Sequence, residues 1–310
     1  MLVHCLSDMN AAIRPGDLVE VKAPDEILLT LDADGTLDHV PFMPEMVEFC
    51  GKRFEVSKWV ATVCPGVRGF RTNDVFFLDG LRCSGAAHEG CQKACMILWR
   101  QAWLRKVDGA VARSSAESGN SEQLRARLKT LTGPKRYFCQ ASELFKATVP
   151  LSRGKRIGKY LREVRLGNFT ALQMAHRIAI FMFWRIRGVF LGLYGRGNQK
   201  STPSESLNLK SGEWVEVKSA DSIIATLNEK GHNRGMRFSQ DMRLLCGQRR
   251  RVMGRVERIV VDGTGEMRQV QNTVCLEGSI CGCAHLTCGG CSREEIVYWR
   301  EIWLRRAANP

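Results

Sequence analysis

The sequence predicts an α+β protein in which two homologous small antiparallel β-barrel domains, each closed by a C-terminal helix, flank a basic helical module. Three observations support this prediction: a repeat within the chain, short runs of alternating apolar and polar residues between Gly and Asp turns, and a helical pattern of apolar residues between the two copies. With 310 residues, the chain is long enough for two or three domains with cores of their own.

The repeat is clearest in two segments that lie 196 positions apart. Residues 14–35 read RPGDLVEVKAPDEILLTLDADG and residues 210–231 read KSGEWVEVKSADSIIATLNEKG, with ten of 22 positions identical. Each copy begins with a Gly turn and a strand of period two, in which Val19 and Val21 alternate with Glu20. The two halves are therefore predicted to be homologous.

Further strands are predicted at matching places in the two halves. The pairs of segments are 27–31 and 223–227, 53–63 and 251–261, and 74–78 and 269–276, with a hairpin turn at Asp34-Gly35. Four or five short strands within about sixty residues are typical of a compact antiparallel barrel.

Each half ends in a segment that carries two tryptophans four positions apart. Trp99 and Trp103 lie in residues 96–106, and Trp299 and Trp303 lie in residues 292–306. Because residues four apart share one face of a helix, both segments are predicted to be helices. We expect the tryptophans to pack on the barrel, with the neighbouring arginines in solvent. The alternative is that these tryptophan and arginine side chains stack on nucleic-acid bases.

The chain is accordingly predicted to have five parts. They are a first cysteine-rich barrel domain at residues 1–106, a linker at 107–122, the basic helical module at 123–196, a second linker at 197–209 and a second cysteine-rich barrel domain at 210–310. Both linkers are predicted from their content of Gly, Ser and other small polar residues.

Most of the thirteen cysteines lie in two clusters. Residues 83–95 read CSGAAHEGCQKAC, residues 281–291 read CGCAHLTCGGC, and one isolated cysteine precedes each cluster. Four thiolates are the donor set of a tetrahedral zinc ion or of a cubane iron-sulfur cluster. We predict up to one metal centre per half. The candidate ligands are Cys50, Cys83, His88, Cys91 and Cys95 in the first half and Cys246, Cys281, His285, Cys288 and Cys291 in the second.

The two clusters align in two ways. Anchored on the Leu-acid-Gly turn that precedes each cluster, Cys95 aligns with Cys291. Anchored on the tryptophans that follow, Cys95 faces Glu295 and His88 becomes the fourth ligand. We favour the first alignment because it matches every ligand type.

Zinc is the favoured metal, since structural zinc is the commoner use of Cys and His on small barrels, and a 4Fe-4S cluster is the alternative. Each histidine is either a ligand or a group that hydrogen-bonds to a metal-bound sulfur, and a proton donor beside the metal is a third role. Free buried thiols without metal are the remaining interpretation.

Because residues 1–14 do not form a secretion signal, we expect a cytoplasmic protein with metal ligands and not disulfides.

The positive charge lies mainly in the middle of the chain. The net charge is +14, and residues 125–200 hold seventeen Lys and Arg against Glu143 and Glu163. This balance predicts a polyanionic partner, nucleic acid by preference, with an anionic membrane surface contacted through residues 169–194 as the weaker alternative. No transmembrane segment is expected, because the longest apolar patch, residues 178–184, is too short.

Two resemblances bear on the fold. The opening Pro-Gly-Asp-x-Val-x-Val resembles the first strand of five-stranded barrels of the KOW and Tudor kind. The order of Pro-Glu-Met, Cys-Gly, Leu-Asp-Gly-x-x-Cys, His-x-x-Cys and Trp-x-x-x-Trp-Leu resembles an uncharacterised bacterial family of duplicated cysteine-rich proteins. This second resemblance implies duplication but no function. The second half departs from the pattern at Ser239-Gln240-Asp241-Met242, which puts equal occupation of the two centres in doubt.

Motifs of known catalytic types are missing. The sequence holds no Gly-rich phosphate loop, no Gly-x-Ser-x-Gly and no His-Glu-x-x-His, so a hydrolase or a nucleotide-dependent enzyme is not expected. We expect a metal-binding duplicated barrel protein that binds an anionic partner. The alternative is an iron-sulfur enzyme or electron carrier in a biosynthetic pathway. The sequence therefore does not decide whether the protein is an enzyme.

Overall fold

A computed structural model describes residues 13–63, 68–70, 74–107, 119–191, 195–281 and 293–309. These residues form two compact units. The first comprises the described residues up to Cys91, together with Cys95–Ala171 and Val260–Met267. The second comprises Gln92–Ala94, Leu172–Ile259 and the described residues from Arg268 onward. The fold is of the predicted α+β class, and its paired strands are antiparallel.

The first unit is built on a five-stranded sheet. The strands are β1 (Leu18–Val21), β2 (Thr36–Leu37), β3 (Val40–Pro41), β4 (Arg53–Trp59), β5 (Thr62–Val63), β6 (Arg68–Phe70), β7 (Val75–Leu78), β8 (Trp99–Arg100), β9 (Leu104–Lys106), β10 (Leu131–Gly133), β11 (Arg136–Tyr137) and β12 (Thr148–Pro150). The sheet has the order β8-β7-β4-β1-β9. Its two edge strands, β8 and β9, are consecutive in the chain and are separated only by a 3-10 turn at Gln101–Trp103.

The second unit repeats this arrangement. The remaining strands are β13 (Trp214–Val217), β14 (His232–Asn233), β15 (Met236–Arg237), β16 (Arg249–Arg255), β17 (Arg258–Val260), β18 (Met267–Gln269), β19 (Thr273–Ile280), β20 (Ile296–Arg300) and β21 (Leu304–Arg306). Its five-stranded sheet has the order β20-β19-β16-β13-β21. Val215 pairs with Arg250 as Val19 pairs with Phe54, so the register is the same. A second 3-10 turn, Glu301–Trp303, joins the edge strands β20 and β21.

The four tryptophans lie in the cores of these sheets, as predicted. Trp99, Trp103, Trp299 and Trp303 have no exposed surface, and therefore cannot stack on a nucleic-acid base. The indole of Trp103 donates to the Thr30 hydroxyl over 3.0 Å, which satisfies the polar atom that its burial would otherwise leave without a partner.

The predicted C-terminal helices are wrong. Residues 96–106 and the described part of 292–306 form strand, 3-10 turn and strand in place of a helix. The spacing of four also places two side chains in one core when a tight turn lies between them, so the tryptophans did not distinguish the two structures. Backbone pairing with β7 and β1, and with β19 and β13, decides in favour of strands.

Two predicted strands are also wrong. Segments 27–31 and 223–227 do not form strands, and the short helices α1 (Pro24–Leu28) and α6 (Ala220–Ile224) occupy this part of each half. Proline at the helix start and acids in the first turn favour α1. The hydroxyl of Ser219 accepts a hydrogen bond from the backbone of Ser222 and caps α6.

The middle of the chain contains helices together with short strands. The other helices are α2 (Gly119–Arg127), α3 (Leu144–Ala147), α4 (Arg153–Arg165), α5 (Ala171–Leu191) and α7 (Gln240–Arg243). Strands β10 to β12 interrupt the predicted module, and the boundary between the two units divides it at Ala171. Of the predicted linker at 107–122, residues 108–118 lie outside the described part and the last four residues begin α2. The five-part division stays a prediction.

Helix α5 exposes large apolar side chains. Leu172 is 82% exposed and Phe190 is 79% exposed. Within the described chain, no helix combines the length and the apolar character that crossing a membrane requires.

A buried carboxylate holds the segment that precedes β13 in place. Glu301 has no exposed surface and accepts hydrogen bonds from the backbone amides of Leu207, Asn208 and Leu209. It also pairs with Arg255 at 3.0 Å. The carboxylate thus holds the segment before β13 against the 3-10 turn.

We expect Glu301→Ala to lower the free energy of unfolding by about 2–4 kcal/mol, because it leaves one buried amide, two part-buried amides and a guanidinium without this acceptor. The measurement is urea unfolding followed by circular dichroism. Glu205→Ala is the control, since Glu205 is 44% exposed in its pair with Lys218 and its loss is expected to cost under about 1 kcal/mol. Equal effects of the two substitutions would contradict the structural role of Glu301.

Candidate metal centre

The first cysteine cluster is a tight loop whose ends are held together. The amide of Cys83 donates to the carbonyl of Cys95 over 2.8 Å, and Arg82 and Met96 form an isolated bridge. Gly85 has a φ of +74°, and a Cβ at this position would lie 1.9 Å from the carbonyl oxygen of Cys91. The loop therefore needs glycine there, so that the chain can double back on itself.

Three potential ligands converge beside this loop. Donor atoms of Glu45, Cys83 and His88 all lie within 4.8 Å of one another. Cys83 Sγ is 2.9 Å from Glu45 Oε1, and His88 Nδ1 is 3.9 Å from the same oxygen. Among the described residues, this is the one such group of three or more His, Cys, Asp or Glu side chains.

The histidine is oriented as metal-binding histidines are. His88 is 1% exposed, and its Nε2 lies 3.3 Å from the carbonyl oxygen of Phe138. Because a carbonyl can only accept, Nε2 carries the proton and donates it. In the neutral form of this tautomer, Nδ1 carries a lone pair, and this nitrogen is the one that faces Glu45 and Cys83. A backbone acceptor that fixes the tautomer in this way is the usual partner of a metal-bound imidazole.

The glutamate has an unused buried oxygen. Glu45 is 8% exposed, and its Oε2 makes no hydrogen bond to any described residue. A buried carboxylate oxygen without a partner costs free energy unless a cation or a donor meets it. The donor set of one carboxylate, one imidazole and one thiol fits a divalent zinc ion.

The pKa of the Cys83 thiol is raised above its ordinary value. Burial is the largest cause, followed by the negative charge of Glu45, the hydrogen bond to that carboxylate, and the thiol of Cys95. As a bare group, Cys83 is therefore a protonated thiol that donates to Glu45, and it is a poor nucleophile. A bound divalent cation would reverse this balance, because thiolate is the form that coordinates metal.

The other predicted ligands of the first half lie outside the group of three. Cys95 lies close enough to Cys83 to raise its pKa. The sulfur of Cys91 accepts a hydrogen bond from the amide of Val260 over 3.2 Å. Cys50 is buried in the apolar core, where burial raises its pKa to about 11 against the opposing charge of Arg125. The structure does not bring four thiols of the described residues together within 4.8 Å, and the larger ligand set stays a prediction.

The predicted second centre is described only in part. His285, Cys288 and Cys291 lie outside the described residues, whereas Cys246 and Cys281 lie within them. Cys246 is half-buried and lines a pocket of ≈ 500 Å³, together with Lys218 and Arg305. Its pKa is raised by burial and lowered in part by Arg243.

Strand pairing shows how the two clusters correspond. The amide of Cys281 donates to the carbonyl of Glu295 over 2.8 Å, as the amide of Cys83 donates to Cys95. Cys83 therefore corresponds to Cys281, but Cys95 corresponds to Glu295. The preferred alignment, in which Cys95 matched Cys291, is wrong at this end, because the second loop is longer while both of its ends keep their backbone register.

Glu45 is the member of this group that the sequence did not identify as a candidate ligand. It lies in Pro-Glu-Met, at the start of the 3-10 helix Pro44–Phe49, which brings its side chain to the loop. The offset of 196 was the available signal, since it places Asp241 at the matching position and so keeps an acid there in both halves. Cysteine spacing alone cannot indicate a carboxylate ligand that lies some forty positions upstream.

No protein-family model matches this chain, and neither a curated protein nor a solved structure matches it. Its function is therefore inferred from the chemistry of its own residues. The group of Glu45, Cys83 and His88 is the arrangement that says most about that chemistry.

We expect Cys50 to react with iodoacetamide at pH 7.5 about a hundredfold more slowly in the folded chain than in urea, because burial raises its pKa to about 11 and leaves little thiolate. The rate should rise as the pH approaches that value. Mass spectrometry of tryptic peptides over time measures it, with the half-buried Cys246 as the faster internal reference. Equal rates in the folded and unfolded chain would contradict this assignment.

Proposed function

We propose that the first unit is a zinc-binding unit in which Glu45, Cys83 and His88 hold the ion and Cys95 completes the set. The single observation that carries this proposal is the convergence of three donors within 4.8 Å, two of them on buried residues and one on the half-buried Cys83. Cys95 is the fourth candidate because its backbone is bonded to Cys83 and its thiol affects the pKa of that residue. Four ligands in a closed, buried site are typical of structural zinc.

Zinc suits this set of donors better than an iron-sulfur cluster does. A cubane cluster takes four thiolates, whereas the group found here combines oxygen, nitrogen and sulfur. Mixed sets of carboxylate, imidazole and thiolate are ordinary for zinc. The alternative of an iron-sulfur enzyme or electron carrier remains open to test by colour, since an iron-sulfur protein absorbs broadly in the visible range.

The ion would join two parts of the first unit that the sequence separates. Glu45 belongs to a 3-10 helix that precedes β4, whereas Cys83 and His88 belong to the loop between β7 and β8. A metal that bridges them restrains the loop against the core, and its binding free energy adds to folding stability. The proposed role is thus structural.

We extend the proposal to the second half by the shared sheet order and register. The two sheets are homologous barrels in this proposal, and Cys281 with the acid at Asp241 marks the place of a second centre. The resemblance to duplicated cysteine-rich bacterial proteins agrees with this duplication.

We expect Cys83→Ser to remove one zinc ion per chain, because it deletes the ligand at the centre of the group. Glu45→Gln is the sharper variant, because the proposal that Glu45 is a ligand rests on the folded arrangement alone. Anaerobic purification, elemental analysis and a visible spectrum give metal identity and stoichiometry.

Two cysteine variants serve as controls. Cys139→Ala removes a buried cysteine outside the group and is expected to keep the full zinc content. Cys50→Ala distinguishes the two ligand sets: it keeps the ion if Glu45 is a ligand, and loses it if the four-cysteine set is right. Wild-type metal content in Cys83→Ser, or a brown protein, would overturn the proposal.

A second candidate function is nucleic-acid binding through residues 125–200. Basic side chains in the first unit support it, because Arg125, Arg127, Lys135 and Arg136 are exposed. Lys and Arg that neutralise phosphates release counterions, so affinity must fall as salt rises.

We expect the affinity of the full chain for a single-stranded oligonucleotide to fall about tenfold or more between 50 and 200 mM salt, given several phosphate contacts. Fluorescence anisotropy at a series of salt concentrations measures the slope. A neutral polymer of similar size is the control. The absence of salt-sensitive binding to both DNA and RNA would remove this candidate.

A further inference from the structure

The second unit has an open pocket whose charged lining residues are all cations. Its volume is ≈ 620 Å³, and Lys200, Arg234, Arg268 and Arg300 contribute to its wall. The hydroxyl groups of Ser201 and Thr202 lie on the same wall. None of the described residues that line it is acidic.

Arg300 is the fixed member of this group. It is 8% exposed, and its guanidinium donates to the carbonyl oxygens of Gln271 and Arg234, each over 2.7 Å. It also donates to the Thr273 hydroxyl over 3.1 Å. Burial, and then the charge of Arg234, lower the pKa of Arg300. A guanidinium held this firmly keeps its position without any acid beside it.

In the first unit, the charge of the arginine that matches Arg300 is neutralised by carboxylates. Arg100 follows Trp99 as Arg300 follows Trp299, and it too is buried. Arg100 forms ion pairs with Asp38 and with Asp74, the latter at 2.9 Å. The first unit thus gives its buried arginine two carboxylates.

Both carboxylates are absent from the second unit. Arg234 takes the place of Asp38, and the two residues share a left-handed backbone with φ of 46° and 48°. Asn272 takes the place of Asp74: the carbonyl of Asn272 accepts from the amide of Glu301 over 2.9 Å, as the carbonyl of Asp74 accepts from Gln101 over 2.8 Å. One acid has become a cation and the other a neutral amide, on the same backbone.

No other acid of the described residues compensates for this change. Glu301 is next to Arg300 in sequence, but its carboxylate is taken by three backbone amides and Arg255. Lys200, Arg234 and Arg268 form no ion pair with a described carboxylate. Several cations that share a pocket without an acid repel one another, unless an anion binds between them.

We propose that this pocket binds a phosphate group. Guanidinium forks match the paired oxygens of phosphate, and lysine and hydroxyl groups supply further donors to the same anion. The phosphate belongs either to the backbone of a nucleic acid or to a free phosphorylated molecule. The inference does not rest on the metal centre, which lies in the other unit.

The test exchanges a residue of the pocket for its counterpart in the first unit. Arg234→Asp restores the acid found at Asp38, and the backbone accepts aspartate at this φ in the first unit. Lys230→Asp is the matched control: it also introduces its counterpart, Asp34, makes the same change of charge, and lies at an exposed position outside the pocket.

Pyrophosphate and a twelve-nucleotide single strand of DNA are the two probes, measured by calorimetry and by thermal unfolding of the full chain. We expect pyrophosphate to raise the Tm of the wild type and of Lys230→Asp, because a ligand that binds only the folded state stabilises it. We expect Arg234→Asp to bind pyrophosphate about tenfold more weakly or worse. Its own Tm should be at least that of the wild type, since the new carboxylate pairs with Arg300.

The oligonucleotide distinguishes the two sources of phosphate. Tighter binding of DNA than of pyrophosphate, with a smaller salt slope in Arg234→Asp, would support a nucleic-acid backbone. Binding of pyrophosphate alone would support a free phosphorylated ligand. Unchanged pyrophosphate binding in Arg234→Asp would overturn the proposal, and so would an equal loss in Lys230→Asp, because the effect would then reflect net charge and not the pocket.

Discussion

The burial of paired tryptophans at a 3-10 turn is the interaction on which the rest of each unit depends. In the first unit, Trp99 precedes this turn, Trp103 is its last residue, and both side chains lie wholly in the core. Their burial holds the turn in place, so that β8 pairs with β7 on one edge of the sheet and β9 pairs with β1 on the other. The turn thus joins the two opposite edges of one sheet.

This shared scaffold carries different chemistry in its two copies. In the first unit, the loop before the tryptophan segment brings Cys83 and His88 to Glu45, while the buried Arg100 is neutralised by two aspartates. In the second unit, the arginine after the matching tryptophan faces Arg234 in a pocket that has no acid among its described lining residues. Because the backbone is fixed by the same sheet and turn, two exchanges of side chain are enough to convert a neutralised site into a cationic one.

The sequence predicted those features that depend on local pattern or on comparison of the halves. The alternation around Val19 and Val21 gave the first strand, and the repeat at an offset of 196 gave the matching sheet of the second unit. The burial of the tryptophans was also predicted. The same reasoning wrongly interpreted the four-residue spacing of the tryptophans as a helix. A helix and a strand broken by a tight turn both place such residues on one side. Only pairing with distant strands separates the two.

The candidate site was predictable only in part, for a related reason. Cysteine and histidine spacing located the loop at residues 83–95 and identified two members of the buried group. It also proposed Cys50, which the fold places in the apolar core, and it passed over Glu45. What the sequence by itself determined is the three inner strands of each sheet and the position of the sulfur-rich loops, since both follow from the order of residues along the chain. Which acid meets Cys83, and which cations meet Arg300, was decided by the tertiary structure alone, because these contacts join residues whose separation in sequence carries no signal of their closeness in space.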